Sequence, residues 1–171
     1  MAHDLEIKNG QASLMLADVP AWHCLGTVVE GAQNWETAMR IGRLDFEVEK
    51  QPLYSKNGEE LPTYGVFRLD NGLFLGTVGS VYTCVQNRYA FKFIDTLLEA
   101  ENGMHYESAG VLGQGERVFV SARIPYDFNV MGVDEHKTYL MFVTSHNGTT
   151  TIQAKLTVVR PVCANTVNQA L

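Results

Sequence analysis

Apolar and polar side chains take turns over Glu116–Ile124, where Val118, Val120 and Ala122 alternate with Phe119, Ser121 and Arg123. A period of two is that of a strand with one face buried. His105–Val111 predicts the partner strand, joined through Leu112-Gly113-Gln114-Gly115. Asn-Gly pairs at 57–58, 71–72 and 147–148 mark further reversals, because Asn and Gly best tolerate the positive φ angles of a tight hairpin turn. Tyr64–Leu69 and Leu73–Val78 flank the second pair, and Thr138–Val143 and Thr149–Val159 flank the third. Antiparallel pairing therefore dominates the expectation.

Two segments change period. Asn34 can cap a short helix over Trp35–Ile41 that ends at Gly42. A longer helix is predicted from about Gln86 to Glu101, closed by Asn102-Gly103. Tyr89, Phe93 and Leu97 recur at four-residue steps beside Ala90, Ile94 and Leu98, with Arg88, Lys92, Asp95 and Glu99 opposite. A third helix starts near Asn165 or Thr166, and the sequence ends about six residues later, too short to be stable alone. The expected fold class is α+β: a largely antiparallel sheet of β-hairpins with one long helix packed on a face. Residues 1–171 read as a single domain, the N-terminal part of a longer protein, whose tail self-associates or docks on a missing C-terminal segment.

Composition narrows the class. The chain has 171 residues, 46% hydrophobic and 19% charged, which is globular rather than disordered or fibrous. No apolar run approaches the roughly 18 residues of a membrane span. The opening residues lack the basic-then-apolar order of a signal peptide, so the expected setting is cytoplasmic. Cys24, Cys84 and Cys163 show no CxxC spacing and read as buried free thiols. Net charge is −6, which excludes a surface that coats nucleic acid everywhere but leaves a local groove open.

The charge is uneven. From His136 to Leu171 there is no Asp or Glu, while Lys155, Arg160, Asn147, Asn165 and His146 all donate hydrogen bonds there. That composition suits an anion. Arg160 precedes Pro161, which favours extended backbone, and leads into the N–H groups of the last helix near Asn165 and Thr166. Arg160, Asn165, Thr166, Asn147, His146 and Lys155 are the candidate anion-binding residues. The alternative pairs Arg160 with Asp70, Asp95 or Glu107 and leaves Asn165 as a helix cap; Arg68 and Arg117 carry the same choice.

A second candidate group precedes and begins the long helix. Tyr82 can stack on a base, and the amides of Gln86 and Asn87 can read its edge, with Arg88 and Lys92 as a short basic stripe. Alternatively Tyr82 is a core aromatic and the amides cap the helix. Trp22 and Trp35 read as core anchors. Ser145 and His146, adjacent on a strand, point to opposite faces and form no nucleophile pair. Cys163 could meet His23 or His146 as a Cys–His dyad, against the commoner buried structural thiol. Five histidines without HxH or HxxxH spacing predict no metal site, and no cofactor is expected.

Several blocks resemble, in order, the phage/plasmid-like protein family of unknown function, found on phages, plasmids and laterally transferred regions. They are Pro20-Ala21-Trp22-His23-Cys24-Leu25-Gly26-Thr27; Arg68-Leu69-Asp70 followed by Leu75-Gly76-Thr77-Val78-Gly79 and Tyr82; Gln86-Asn87; Gly110 through Gly115-Glu116-Arg117-Val118-Phe119; Ser145-His146-Asn147-Gly148; and Arg160-Pro161-Val162-Cys163-Ala164-Asn165-Thr166. The resemblance spans residues 20–171 and implies a mobile-element accessory protein; the family carries no established reaction. A hairpin sheet with a helix is also similar in architecture to the core of phage single-strand annealing proteins. The leading expectation is binding of single-stranded DNA, in recombination or in protection of an incoming element. The rivals are an enzyme acting on a phosphorylated or nucleotide-like ligand, and an acidic interaction module that blocks a host defence protein.

Overall fold

A computed structural model describes residues 3–31, 34–100, 103–130 and 134–171, without the side chains of 127–130 and 134–136. The chain opens with β1 (Ile7–Lys8), β2 (Gln11–Ala12), β3 (Leu14–Ala17), β4 (Thr27–Val29) and α1 (Trp35–Ile41). There follow β5 (Val48–Tyr54), β6 (Glu60–Arg68), β7 (Phe74–Val78) and α2 (Asn87–Ala100). It closes with β8 (His105–Leu112), β9 (Arg117–Val130), β10 (Asp134–Ser145), β11 (Gln153–Thr157) and α3 (Ala164–Ala170). These strands form a six-stranded sheet in the order β11-β10-β9-β8-β3-β4, a three-stranded sheet β5-β6-β7, and the small β1-β2 hairpin.

The expected α+β class with one long helix across a sheet does not hold. The chain is mostly β, with 42% of it in strands and 18% helical, in three short helices and mixed sheets. Strands β3 and β4 run parallel, so even the main sheet is not purely antiparallel. The excess of strand comes from segments whose pattern does not alternate. Leu14-Met15-Leu16-Ala17 is buried at every position, because β3 lies inside the sheet with packed layers on both faces. The architectural likeness to phage annealing proteins rested on the overturned fold and lapses with it.

The six-stranded sheet separates two cores. On one face Met15, Ala109, Val111, Val118, Val120 and Phe142 pack with α1, α2 and the three-stranded sheet through Ala38, Phe91, Ile94, Val66 and Leu75. On the other, Leu14, Leu16, Leu112, Phe119, Met141 and Val143 pack with Leu5, Val162, Cys163 and Val167 from the two ends of the chain. Successive residues fall into opposite cores, as the pleat requires. Each large aliphatic or aromatic side chain so buried contributes roughly 1.5–3 kcal/mol.

The helices show why the sequence pattern misled. In α2 the buried residues are Asn87, Ala90, Phe91 and Ile94, while Tyr89 and Phe93 are 52% and 45% exposed. The four-residue recurrence of Tyr89, Phe93 and Leu97 therefore marks a shoulder and not the core stripe. Gln86 stays outside the helix because its amide pairs with both the N–H and the carbonyl of Val48, extending β5 sideways. The expected end at Glu101-Asn102 lies outside the described residues. Helix α1 has its expected limits, with the Asn34 side chain accepting from Thr37 N–H at 2.8 Å. Helix α3 is capped by Cys163 and not by Asn165, and its Val167 is fully buried. Trp22, expected in the core, is 70% exposed, and of the three thiols only Cys163 is buried.

One buried charge fastens these layers together. Arg68, at the end of β6, is 1% exposed. It donates to both oxygens of Asp70 at 2.9 Å, to Glu6 at 2.5 Å and to the Gln114 carbonyl at 2.7 Å, with its guanidinium 3.7 Å from the centroid of the Phe46 ring. It thus joins the three-stranded sheet to the N-terminal segment and to the β8–β9 turn. Burial alone would raise the Asp70 pKa, but hydrogen bonds and charge from Arg68 and Lys8 outweigh it and lower the value. Removing one member of such a group strands the others in a poorly solvated place. Arg68→Ala is expected to lower unfolding free energy by about 3–5 kcal/mol in urea titration. Adding Glu6→Gln and Asp70→Asn to that variant should recover part of the loss; purely additive losses would refute the coupling.

Candidate functional site

The candidate residues divide into two groups, with no hydrogen bond or ion pair between them among the described residues. The first lies where α2 begins. Asn87, 2% exposed, donates to the carbonyls of Leu44 and Phe46 at 3.0 and 3.3 Å and meets His146 Nε2 through its own Oδ1 at 2.8 Å. Because the Asn87 oxygen can only accept, His146 carries its proton on Nε2. The His146 ring stands edge-on to Phe46, with centroids 5.8 Å apart. Its backbone N–H donates to Glu116. Burial first, and the nearby Arg68 charge second, push the His146 pKa down to about 4.

Around this pair the turn is built from side-chain bonds. Tyr82 Oη donates to the Ser145 carbonyl at 2.8 Å, and Ser145 Oγ bonds both the N–H and the carbonyl of Thr150. Asn147 Oδ1 accepts from Thr149 N–H and Oγ1. Its Cβ packs so closely on Gly76 that a methyl group there would approach to 2.7 Å. Tyr82, Gln86, Asn87, His146 and Asn147 are thus brought together and each bonds within the fold, with His146 Nδ1 buried and without a partner.

The second group belongs to the segment under the opposite face. Arg160 ion-pairs with Glu107 at 2.5 Å, its Nε–H poorly aligned for a hydrogen bond, and donates from Nη2 to the Ala17 carbonyl. Thr166 Oγ accepts from the N–H groups of Val162 and Cys163 and donates to the Cys163 carbonyl. Asn165 is exposed on α3, and Lys155 Nζ donates to the Leu171 carbonyl. Arg160, Asn165, Asn147 and His146 do not converge on one pocket. Asp70, considered as a partner for Arg160, belongs to Arg68.

Two arrangements remain open to solvent or ligand. On α2, Arg88, Tyr89, Lys92 and Phe93 all lie on the exposed side, Arg88 ion-pairing with Glu47 at 3.1 Å. The other was not expected: His3, His23 and Cys163 place their ligand atoms within 4.8 Å of one another. The sequence held only half of that signal, the Cys163–His23 pairing. Residue 3 carried none, because 19 residues or more of intervening chain separate each member from the next. Among the described residues, no helix is long and apolar enough to cross a membrane.

These features define a mostly-β domain whose polar clusters are largely structural and whose surface offers a basic-aromatic helix face. The family model described as a domain of unknown function, DUF932, matches residues 74–171, and the chain belongs to that family. The match begins at β7 and takes in α2, β8 to β11 and α3. Searches of curated proteins and of solved structures gave no match.

The neutral His146 gives a pH signature. Its pKa is about 4 when folded against an ordinary 6.5, so between these values the unfolded chain holds a proton that the native chain does not. Stability therefore falls as pH drops from 6.5 toward 4, by on the order of 3 kcal/mol in all, and is unaffected by this group above 6.5. The difference between wild type and His146→Gln in denaturant midpoint should carry this slope across that window. Parallel profiles would assign the acid sensitivity elsewhere.

Proposed function

We propose that this domain is a mobile-element accessory module that binds single-stranded nucleic acid weakly, without reading its sequence, along the exposed face of α2. The observation that carries the reading is the interleaving of cations and aromatics there. At about 100° per residue, Arg88, Lys92, Tyr89 and Phe93 span an arc of roughly 140° opposite the buried stripe. Phe93 leans on Phe142, with ring centroids 5.9 Å apart, which holds its ring in place while leaving it 45% exposed. Pre-positioned rings offer stacking surfaces worth about 1–3 kcal/mol per base, and the two cations can follow the phosphates. The ordered blocks shared with phage/plasmid-like proteins support the mobile-element context.

The net charge of −6 sets the limit on affinity. Lys155 and Arg160 are engaged with Leu171 and the largely buried Glu107, whereas the Arg88–Glu47 pair is exposed and exchangeable, so Arg88 and Lys92 are the phosphate contacts. Two contacts give a slope of roughly −1.4 in log affinity against log salt for a single strand. Fluorescence anisotropy with a labelled oligonucleotide at low salt should show this shallow slope. Lys92→Glu should weaken every sequence alike, and Tyr89→Ala should weaken binding without changing the slope. No binding at low salt, or binding indifferent to both substitutions, would end the proposal.

A further inference from the structure

Three segments far apart in sequence meet where the N-terminal residues cross the start of α3. The His3 carbonyl accepts from Ala164 N–H at 3.0 Å, which fixes residue 3 beside Cys163. His23 is held from both sides, its Nδ1 accepting from Leu25 N–H at 3.1 Å and its Nε2 lying 3.2 Å from the Val162 carbonyl. The His3 ring stands 4.6 Å from the His23 ring, and exposed Trp22 sits edge-on to both. The Cys163 thiol is fully buried, and Thr166 Oγ lies 3.7 Å from its sulfur.

One polar atom of this group is unmet. His3 Nδ1 is buried and has no hydrogen-bond partner, an expensive state for an imidazole nitrogen. An unpartnered imidazole nitrogen beside a second imidazole and a thiol can be answered by a shared cation. We propose that His3, His23 and Cys163 form a binding site for one divalent transition metal of borderline softness, Zn2+ foremost, with water in the fourth position.

The donor set fits that ion. Zn2+ takes thiolate sulfur and imidazole nitrogen in tetrahedral sites, and three protein ligands plus water is a complete set. Bonds of about 2.1 Å to nitrogen and 2.3 Å to sulfur place neighbouring ligand atoms roughly 3.3–3.6 Å apart. The present atoms lie within 4.8 Å of one another, so closure by up to about 1.5 Å suffices, a change within reach of side-chain rotation. Ligation through His23 Nδ1 replaces the bond from Leu25 and leaves Nε2–H donating to the Val162 carbonyl, the usual outer partner of a ligating histidine. On binding, the Cys163 S–H bond breaks, the sulfur pair bonds the metal, and the proton leaves to solvent. The metal would cross-link residues 3, 23 and 163, and His3 and His23 lie outside the segment matched to the family.

The test uses the full chain, stripped with a chelator, dialysed, and titrated with Zn2+ against a chromophoric competitor and separately with Co2+. One equivalent per chain is expected, with a thiolate-to-cobalt charge-transfer band, release of a proton, and quenching of Trp22 emission. His3→Ala and His23→Ala should each weaken affinity by about tenfold or more, and Cys163→Ser should abolish the charge-transfer band. Cys24→Ser, at an exposed neighbouring thiol, should leave all three signals intact. If the buried Cys163→Ser change unfolds the chain, His3→Ala decides the matter. Failure of the folded chain to bind either metal, binding unchanged in both histidine variants, or a band that follows Cys24, would each overturn the site.

Discussion

A guanidinium taken out of water has to be answered on all sides, and the arrangement of this chain follows from how Arg68 is answered. Its partners come from three places in sequence: Glu6 near the start, Asp70 two residues on, and the Gln114 carbonyl in the β8–β9 turn. Phe46 closes the remaining face. Gly115 is required beside it, because a methyl group at that position would come within 3.0 Å of the arginine side chain. The ion group contributes less by its attraction than by forbidding any packing that leaves one member unpaired. With it in place, the three-stranded sheet is tied to the N-terminal segment and to the β8–β9 turn of the larger one.

The same logic explains which polar residues face inward. His146, Asn87 and Tyr82 look, in sequence, like ligand-binding groups before and along a helix. In the structure they replace the backbone bonds that a loop between sheets would otherwise lack. Asn87 takes up the carbonyls of Leu44 and Phe46, and Gln86 pairs with Val48 as a strand would. Polarity in this part of the chain serves connectivity. What remains for recognition lies on the outer side of α2 and at the crossing of the chain ends.

How much could be read from sequence depended on whether the physics was local. The β8–β9 and β6–β7 pairs and the limits of α1 follow from alternation, Asn-Gly turns and a cap, all short-range signals. Strand β3 was hidden, because a strand buried on both faces does not alternate. The exposed shoulder of α2 was misread, since four-residue recurrence identifies a helix but not which of its stripes meets the core. Arg160 was placed near its true partner Glu107 only as one of three choices, since partner choice depends on the fold. The His3–His23–Cys163 group was invisible for the same reason.

The pairing of β3 with β8 has a further consequence for where this protein can be divided. Residues 14–16 cover one side of β8 with backbone bonds, and they lie well before residue 74, where the family match begins. A chain cut at that boundary would present β8 as a bare, apolar edge, with Ala109, Val111 and Leu112 stripped of neighbours and Glu107 and Arg160 left at a frayed margin. Such an edge recruits any available strand, most readily that of another copy. The residues matched to the family therefore do not form a complete sheet by themselves, and the segment before them acts as the shield that keeps the rest from self-templating.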